Sequence, residues 1–547
     1  MKLGHASPII RRLAEDAVSH GGLCTLVLGA RTHCMATVSI LTEARLRSMN
    51  TTASSRRKTL LFLAALSLVA AALLGYHPYA EDGGIYASAL ALRLNPSLFP
   101  AFQAFAVAHT GKSLFIPVVA EVVQRSNLSQ EVVLLGLYLL SIAATVVAVY
   151  QMSRALFAEP RQQFCATLLF ALAMGMPVGG TSLYLADPYL TSRSFSTPLI
   201  LLGLTALIGR RYRPAAACGI ISFAIHPLMT LWAILPAAFL LCWQRSTRRM
   251  RDFVLLALVV VGVMVAIQIA APVDSAAVRA ASLSRGYWFP SQWQWYEWIG
   301  LIAPVLMLLA VASPSRKCRP MSSTAQSLAA AMTASTMTVT IGALLLTHTS
   351  NTAFLLARLQ PLRLLHLVSI IFVLMLGGWL AASDGKAWRH GVLCLFALGA
   401  VGGMLLLQRE TYPHSAHWEN PLGRNGNGYE EAALWLRQNT PADALIAVDA
   451  HYTTMYGEDA QMVRAIAQRS TIPDAAKDGG IASVMPELAN DWWAGSQAQN
   501  GLATLSDAQR LQRLRSYGAA WMLLPTDAET AFPCPYRNGN AKVCRLH

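Results

Sequence analysis

Charge is what this sequence has least of. Lys, Arg, Asp and Glu make up 13% of 547 residues, about half the roughly 25% usual in soluble domains. That scarcity excludes an ordinary soluble chain. A hydrophobic content of 54% is that of a multi-pass membrane protein with some polar sequence left over. The nine cysteines form no CxxC pair and no Cys/His metal spacing. Cys165, Cys218, Cys242, Cys318 and Cys394 lie in or beside apolar segments, where cysteine acts as a small hydrophobe. There is no Walker loop, no strand-linked GxGxxG, no HExxH and no GxSxG. A nucleotide-driven pump and a membrane zinc protease therefore find no support. No internal repeat and no long low-complexity tract appear.

Apolar runs are what the chain has instead. About eleven spans are predicted, near 59–75, 131–150, 163–180, 196–209, 214–226, 228–243, 253–271, 297–312, 326–347, 364–382 and 391–407. Residues 1–48 resemble neither a span nor a signal peptide, and Met49 opens a basic flank followed by an apolar run. The first 48 residues are read as an extension ahead of a natural start. Alternate connections are basic: 56–58, Arg154 with Arg161, 210–213, 245–252, 315–319, and Lys386 with Arg389. They hold seventeen Lys and Arg against three acids, which is nearly all of the +15 formal charge. The positive-inside rule makes that side cytoplasmic. Juxtamembrane arginines thus account for the basic balance, and no nucleic-acid partner is implied. The alternation needs two short passes within 214–243, turning at "AIHPLM"; Pro227 favours such a break. One tilted span is the competing reading and would invert everything downstream. With the hairpin, the N-terminus is cytoplasmic and the C-terminus extracytoplasmic.

The outer face then gathers several polar features. A long first loop, 76–130, begins with "YHPYAEDGGIY". Its segment from Gly83 reads as a helix on the membrane surface, and 113–126 as a second such helix or a re-entrant hairpin. The 181–195 loop holds Asp187 and Arg193, and His226 lies at the short turn. Arg279 and Arg285 lie in the 272–296 loop, with Arg358 and Arg363 further on. Residues 285–298 carry seven aromatics in fourteen positions, read as an interfacial belt.

Past residue 407 the sequence turns polar. Residues 408–547 make one small domain's worth of chain. Helices are expected over "YEEAALWLRQNTP" and "LSDAQRLQRLRSYG", the latter opened by Ser506 and Gln509 in capping-box spacing and stopped by Gly518. Strands are expected over 443–450 and 519–525, and a hairpin around Asn538-Gly539, so the domain reads as a small α/β or α+β layer. Cys534 and Cys544 flank the hairpin turn and are candidates to pair outside the membrane.

Glu81 and Asp82 are the leading catalytic candidates. They follow a span directly, where charge is costly and tends to be kept for use. Gly83-Gly84 permits a sharp turn or close approach, and Tyr76, His77, Tyr79 and Tyr86 surround the pair. An aligned carboxylate can take a proton from a hydroxyl, and partial desolvation would raise its basicity. Solvated, structural acids remain the plain alternative. Arg193 has a fork suited to phosphate, yet with Asp187 it equally reads as an ion pair in a turn. His226, Arg285, Arg358 and Arg363 are weaker candidates on the same face.

This arrangement resembles the GT-C superfamily, the membrane glycosyltransferases that use polyprenyl-phosphate-linked sugars. It is similar, more closely, to a bacterial group of multi-pass membrane proteins of this type. The matching pieces are "HPYAEDGGIY", "LNPSLFP", "DPYLTSRSFSTPL", "HPLM" and the "CPYRNGN-KVCRL" ending. The resemblance implies a mainly α, polytopic bacterial inner-membrane protein. Residues 49–407 would form its transmembrane domain and 408–547 an extracytoplasmic α/β domain. It implies inverting transfer from a lipid-linked donor, with Asp82 or Glu81 as base. Arg193 or another outer-face arginine, Arg285 or Arg363, would meet the phosphate, and Asp187, His226, His77 and Tyr86 would line the substrate site. Some relatives hold Mg2+ or Mn2+ through such acids; here Asp187 and Asp274 are the nearest further carboxylates, and no metal ligands are assigned. Membrane lipids are implied as surroundings. A transporter, or a non-catalytic assembly or binding protein of the cell envelope, stands as the alternative.

Overall fold

The computed structural model describes residues 53–313, 321–382, 387–420, 423, 426–452 and 462–546. The 1–48 extension and the basic 315–319 connection lie outside them. The chain is a mainly helical, polytopic membrane protein carrying a small mixed sheet.

A helix falls in each of the eleven predicted spans, although the one near 163–180 is helical only to Leu172. These helices are α1 (Ala53–Leu74), α4 (Gln130–Leu156), α5 (Pro160–Leu172), α6 (Ser192–Ile208), α7 (Tyr212–Ile225), α8 (Pro227–Arg245), α9 (Arg249–Ala270), α11 (Trp295–Ala312), α12 (Ser323–Leu346), α13 (Leu364–Leu380) and α14 (Ala387–Thr411). The long first connection holds α2 (Glu81–Leu94) and α3 (Phe115–Ser126), and α10 (Ala276–Leu283) lies between α9 and α11. Among the described residues, eight helical segments are long and apolar enough to cross a membrane, one of them Leu355–Leu380, which ends in α13; α5, α6 and α7 are shorter. The apolar windows of α9 and α14 are only 6% buried. So much apolar surface is stable in lipid and very unfavourable in water.

Hydrogen bonds between helix ends sort the bundle into two poles. At one pole Ser322 Oγ donates to Leu156 O (2.6 Å), Gln162 Nε2 to Gly378 O (3.0 Å) and Gln244 Nε2 to Leu207 O (3.1 Å). These ends neighbour the basic connections. At the other pole Gln408 bonds Leu74 O, Ser113 bonds Ile225 O, and Trp232 Nε1 donates to Leu359 O (2.7 Å). Ser222 Oγ reaches Ser196 O (3.4 Å). Together with the Gln244–Leu207 bond, it makes α7 run opposite to both α6 and α8. The 214–243 stretch is therefore two antiparallel helices broken at His226-Pro227, and not one tilted helix.

Two expectations for the connections need correcting. Gly83 to Leu92 of α2 are all buried, so α2 is enclosed by protein and does not lie on an open surface. The aromatic run is not chiefly a belt either. Trp288, Phe289 and Trp293 are buried, while Trp295 is exposed. Room for Trp293 comes from a short hairpin, β1 (Pro177–Val178) with β2 (Leu183–Tyr184), whose turn includes Gly180 at φ +68°. A Cβ there would overlap the Trp293 ring. Gly180→Ala should therefore lower stability by about 1–3 kcal/mol, read as a reduced melting temperature in detergent.

Beyond α14 come α15 (Gly428–Asn439), α16 (Val463–Ala467), α17 (Lys477–Val484), α18 (Ala489–Gln499) and α19 (Asp507–Leu514). The sheet runs β4 (Ser470–Thr471), β3 (Leu445–Val448), β5 (Trp521–Pro525), β7 (Ala541–Arg545), β6 (Tyr536–Arg537) in spatial order. β3 is parallel to β4 and β5, and β7 is antiparallel to β5 and β6. The α/β reading holds for this part. Ser506 and Gln509 form a capping box on α19, and Gly518 adopts φ +69° after it. Cys534 and Cys544 are disulfide-bonded across the open end of the β6–β7 hairpin.

Candidate active site at the mouth of the bundle

The acidic pair is placed by a firm mount. Gly75, at φ +78°, ends α1, and Tyr76 then pairs with the segment after α14. Tyr76 N donates to His417 O and Glu419 N to Tyr76 O, both at 3.0 Å. His77 belongs to this mount: its Nδ1 lies 2.8 Å from Glu419 Oε1, and its ring stacks on Tyr412 at 3.8 Å. It is 1% exposed and faces these partners.

Glu81 and Asp82 form the first turn of α2, where the helix dipole favours negative charge. They diverge from there. Glu81 pairs with Lys477 at the start of α17. Asp82 lies 3.7 Å from Arg193 Nη2, with its side chain 34% exposed. Arg193 is buried in the first turn of α6 and is held by Asp187 Oδ2 at 3.0 Å from Nε and 2.7 Å from Nη2. Burial would raise the Asp82 carboxyl, but Arg193, then His109 and Arg363, outweigh it and hold the group below its ordinary value. This corrects the expectation that desolvation raises its basicity. Burial pushes the Asp187 carboxyl up, opposed by the Arg193 guanidinium. Burial also pushes the Lys477 ammonium down to about 7, while the Glu81 carboxylate at its Nζ favours the charged form.

The other candidates separate by what they touch. Arg363 donates through Nε to Gln360 Oε1; among the described residues its two terminal nitrogens have no protein hydrogen bond. It lines a narrow cleft with Met229, Trp232 and His366, whose free space of about 10 Å³ has room for roughly one water. A second narrow cleft, with about 20 Å³ of free space and lined by Asp187, Arg193, Thr145 and Ser141, shares Thr197 and His366 with the first. Tyr86 bonds Ser192 Oγ at 2.6 Å. His226 caps α8, its Nδ1 accepting from Met229 N at 3.4 Å. Arg285 is buried and donates to Ala476 O at 3.0 Å, so it serves the contact with the C-terminal layer. Arg358 is bound to Asp274 at 2.9 Å.

Sequence reasoning missed His109, His366 and Lys477. His109 meets the edge of Tyr86 with ring centroids 6.0 Å apart; burial pushes its imidazole down, against the pull of Asp82. His366 Nε2 lies 3.2 Å from Leu185 O. Each is a lone residue without a motif, and Lys477 lies 396 residues from its partner.

The described residues do not fit a divalent cation. No three His, Cys, Asp or Glu among them cluster for one. Asp187 would have to give up Arg193, and Asp274 is committed to Arg358 and to the Phe354 N–H at 2.7 Å.

No protein-family model matches the chain, and no curated protein matches it. Among solved structures it is similar to the archaeal oligosaccharyltransferase AglB from Archaeoglobus fulgidus, in complex with an inhibitory peptide and a dolichol-phosphate. The two superpose with a TM-score of 0.44 at 11% sequence identity, over 88% of this chain and 70% of the other. A match that loose transfers neither residues nor activity.

Proposed function

We propose that this chain is a membrane glycosyltransferase that moves a sugar from a polyprenyl-phosphate donor to an acceptor at the Asp82 pole of the bundle. The carrying observation is a partly exposed Asp82 beside Arg193, which lines one of two adjoining clefts, while Arg363 lines the other. Glu81 is committed to Lys477, which leaves Asp82 as the base. The acceptor hydroxyl gives its proton to Asp82 as its oxygen attacks the anomeric carbon. The bond from that carbon to the phosphate oxygen breaks, and the lipid phosphate departs with the electron pair. Arg363 meets its growing charge, and Met229, Trp232, Ile200 and Leu367 offer an apolar wall to the lipid. Arg193 keeps Asp82 ionised. Attack opposite the leaving group inverts the anomeric centre. By the charge rule this pole is extracytoplasmic, with the N-terminus cytoplasmic and residues 408–547 outside a bacterial inner membrane.

The test is stereochemical. Purified protein in liposomes, given polyprenyl-phosphate-linked 14C-labelled mannose, glucose or arabinose together with acceptor-containing envelope extract, should form a glycoside of inverted configuration; retained configuration would contradict direct displacement. The pH profile follows from the depressed Asp82. Its basic form is present above its own pKa, which lies below the ordinary 3.8. Hence kcat/KM should be flat from about pH 5 to pH 7 and decline only in stronger acid. An acid limb centred near pH 6 would point to another base.

A further inference from the structure

The start of α2 is gripped from the C-terminal layer at two points. Met462 N donates to Tyr79 O at 3.0 Å, and the Met462 side chain occupies the space that a Cβ on Gly84 would need. Ser88 Oγ reaches Met462 Sδ at 3.7 Å. The second grip is the ion pair of Lys477 with Glu81, whose side chains are 8% and 18% exposed.

The two grips are one device. Arg464, two residues after Met462, donates from Nη1 and Nη2 to Asp478 Oδ1 and Oδ2 at 2.8 and 2.7 Å. Asp478 follows Lys477 directly, and the Arg464–Asp478 pair is 2% and 0% exposed. A buried bidentate pair of this kind fixes orientation as well as distance. Asp474 adds to it, accepting from the N–H groups of Ala476 and Lys477 at 2.8 and 2.6 Å.

Glu81 needs such a hold. Its φ is +50°, in the left-handed region that side chains other than glycine enter at a cost. On the other side the turn is closely packed: a Cβ on Gly83 would come within 2.7 Å of Pro78 O and 2.9 Å of Tyr189 Cβ. Released from Lys477, the turn would relax toward ordinary backbone angles, and Asp82 would swing with it.

We infer that Lys477 is a positioning residue for the transfer reaction. By holding Glu81 it fixes the strained first turn of α2 and aims Asp82 at Arg193. The C-terminal layer is thereby part of the catalytic apparatus. This inference rests on the glycosyltransferase reading for its catalytic consequence, and on geometry alone for the grip.

Five proteins test it: wild type, Lys477→Met, Lys477→Arg, Glu81→Gln, and the double variant Glu81→Gln/Lys477→Met. In liposomes with the labelled mannose, glucose and arabinose donors and acceptor-containing envelope extract, Lys477→Met and Glu81→Gln should each lower kcat by about 10²-fold. KM for the donor should stay within about twofold of wild type. Lys477→Arg should restore most of the rate, and the double variant should be no slower than either single one. Wild-type kcat in Lys477→Met, or effects that multiply in the double variant, overturns the role. Should Lys477→Met fail to purify, Glu81→Gln breaks the same pair from its more exposed side.

Melting temperatures of the same five give the second arm. Shifts from the two single variants should not add in the double one, because they remove the same contact. Additive shifts sink the grip whatever the enzyme does. If the shifts are coupled but wild type transfers none of the three sugars, the glycosyltransferase reading falls and the grip stands.

Discussion

Asp82→Asn should lower kcat/KM for transfer by about 10³-fold while the protein purifies and melts like wild type. The amide keeps the shape of the side chain and loses the lone pair that takes the proton. Little structure depends on the charge. The nearest cation, Arg193 at 3.7 Å, has its close bonds with Asp187, and the Asp82 side chain is the exposed one of the three. The contrast with Asp187→Asn is informative. That change strips Arg193 of its buried partner, so it should damage folding and activity together. If Asp82→Asn retains its rate, the base is elsewhere, and His109, the imidazole coupled to Asp82, becomes the next residue to change.

Arg193→Met should have the largest effect on stability, a loss of about 3–5 kcal/mol. Asp187 is 4% exposed on its side chain and would be left as a buried carboxylate without its partner. The double variant Arg193→Met/Asp187→Asn should recover most of that loss, because an amide needs no counter-charge. It should not recover activity. Without the guanidinium, Asp82 loses the strongest influence holding its carboxyl down against burial, so any residual rate should show an acid limb at higher pH than wild type. Thermal melts in detergent and a pH–rate profile of the double variant separate the two effects. Full activity in the double variant would remove Arg193 from the site.

Much of the bundle was legible because apolar runs and basic connections obey simple rules. The break at His226-Pro227 could be read from a proline beside a short run, and the antiparallel course of α7 and α8 follows from it. The small mixed sheet was legible at "DALIAVDA" and "AAWMLLP", where apolar runs end in turn signals. What the sequence could not convey was enclosure. The segment from Gly83 to Leu92 has one helical stripe that reads as a surface helix, yet it is buried all round, because its two glycines admit Tyr189 on one side and Met462 on the other. The aromatic run misled for a similar reason: Trp293 fits inside only because a distant glycine, Gly180, leaves room.

The site was legible as a list and not as an assignment. Residue types alone drew attention to Glu81, Asp82, Asp187, Arg193 and Arg363. Which acid is spent and which is open depends on partners hundreds of positions away, Lys477 for Glu81 and Glu419 for His77. The open end of Arg363 also has no sequence signature; it depends on what its neighbours leave unbonded.

The most direct measurement is release of free polyprenyl phosphate by purified wild-type protein in liposomes, from a panel of donors carrying different hexoses and pentoses, with acceptor-containing envelope extract supplied. At least one donor should lose its sugar to an acceptor with stoichiometric release of the lipid phosphate. A panel in which every donor is bound and none is cleaved would contradict catalysis at this site and leave a lipid-phosphate-binding protein in its place.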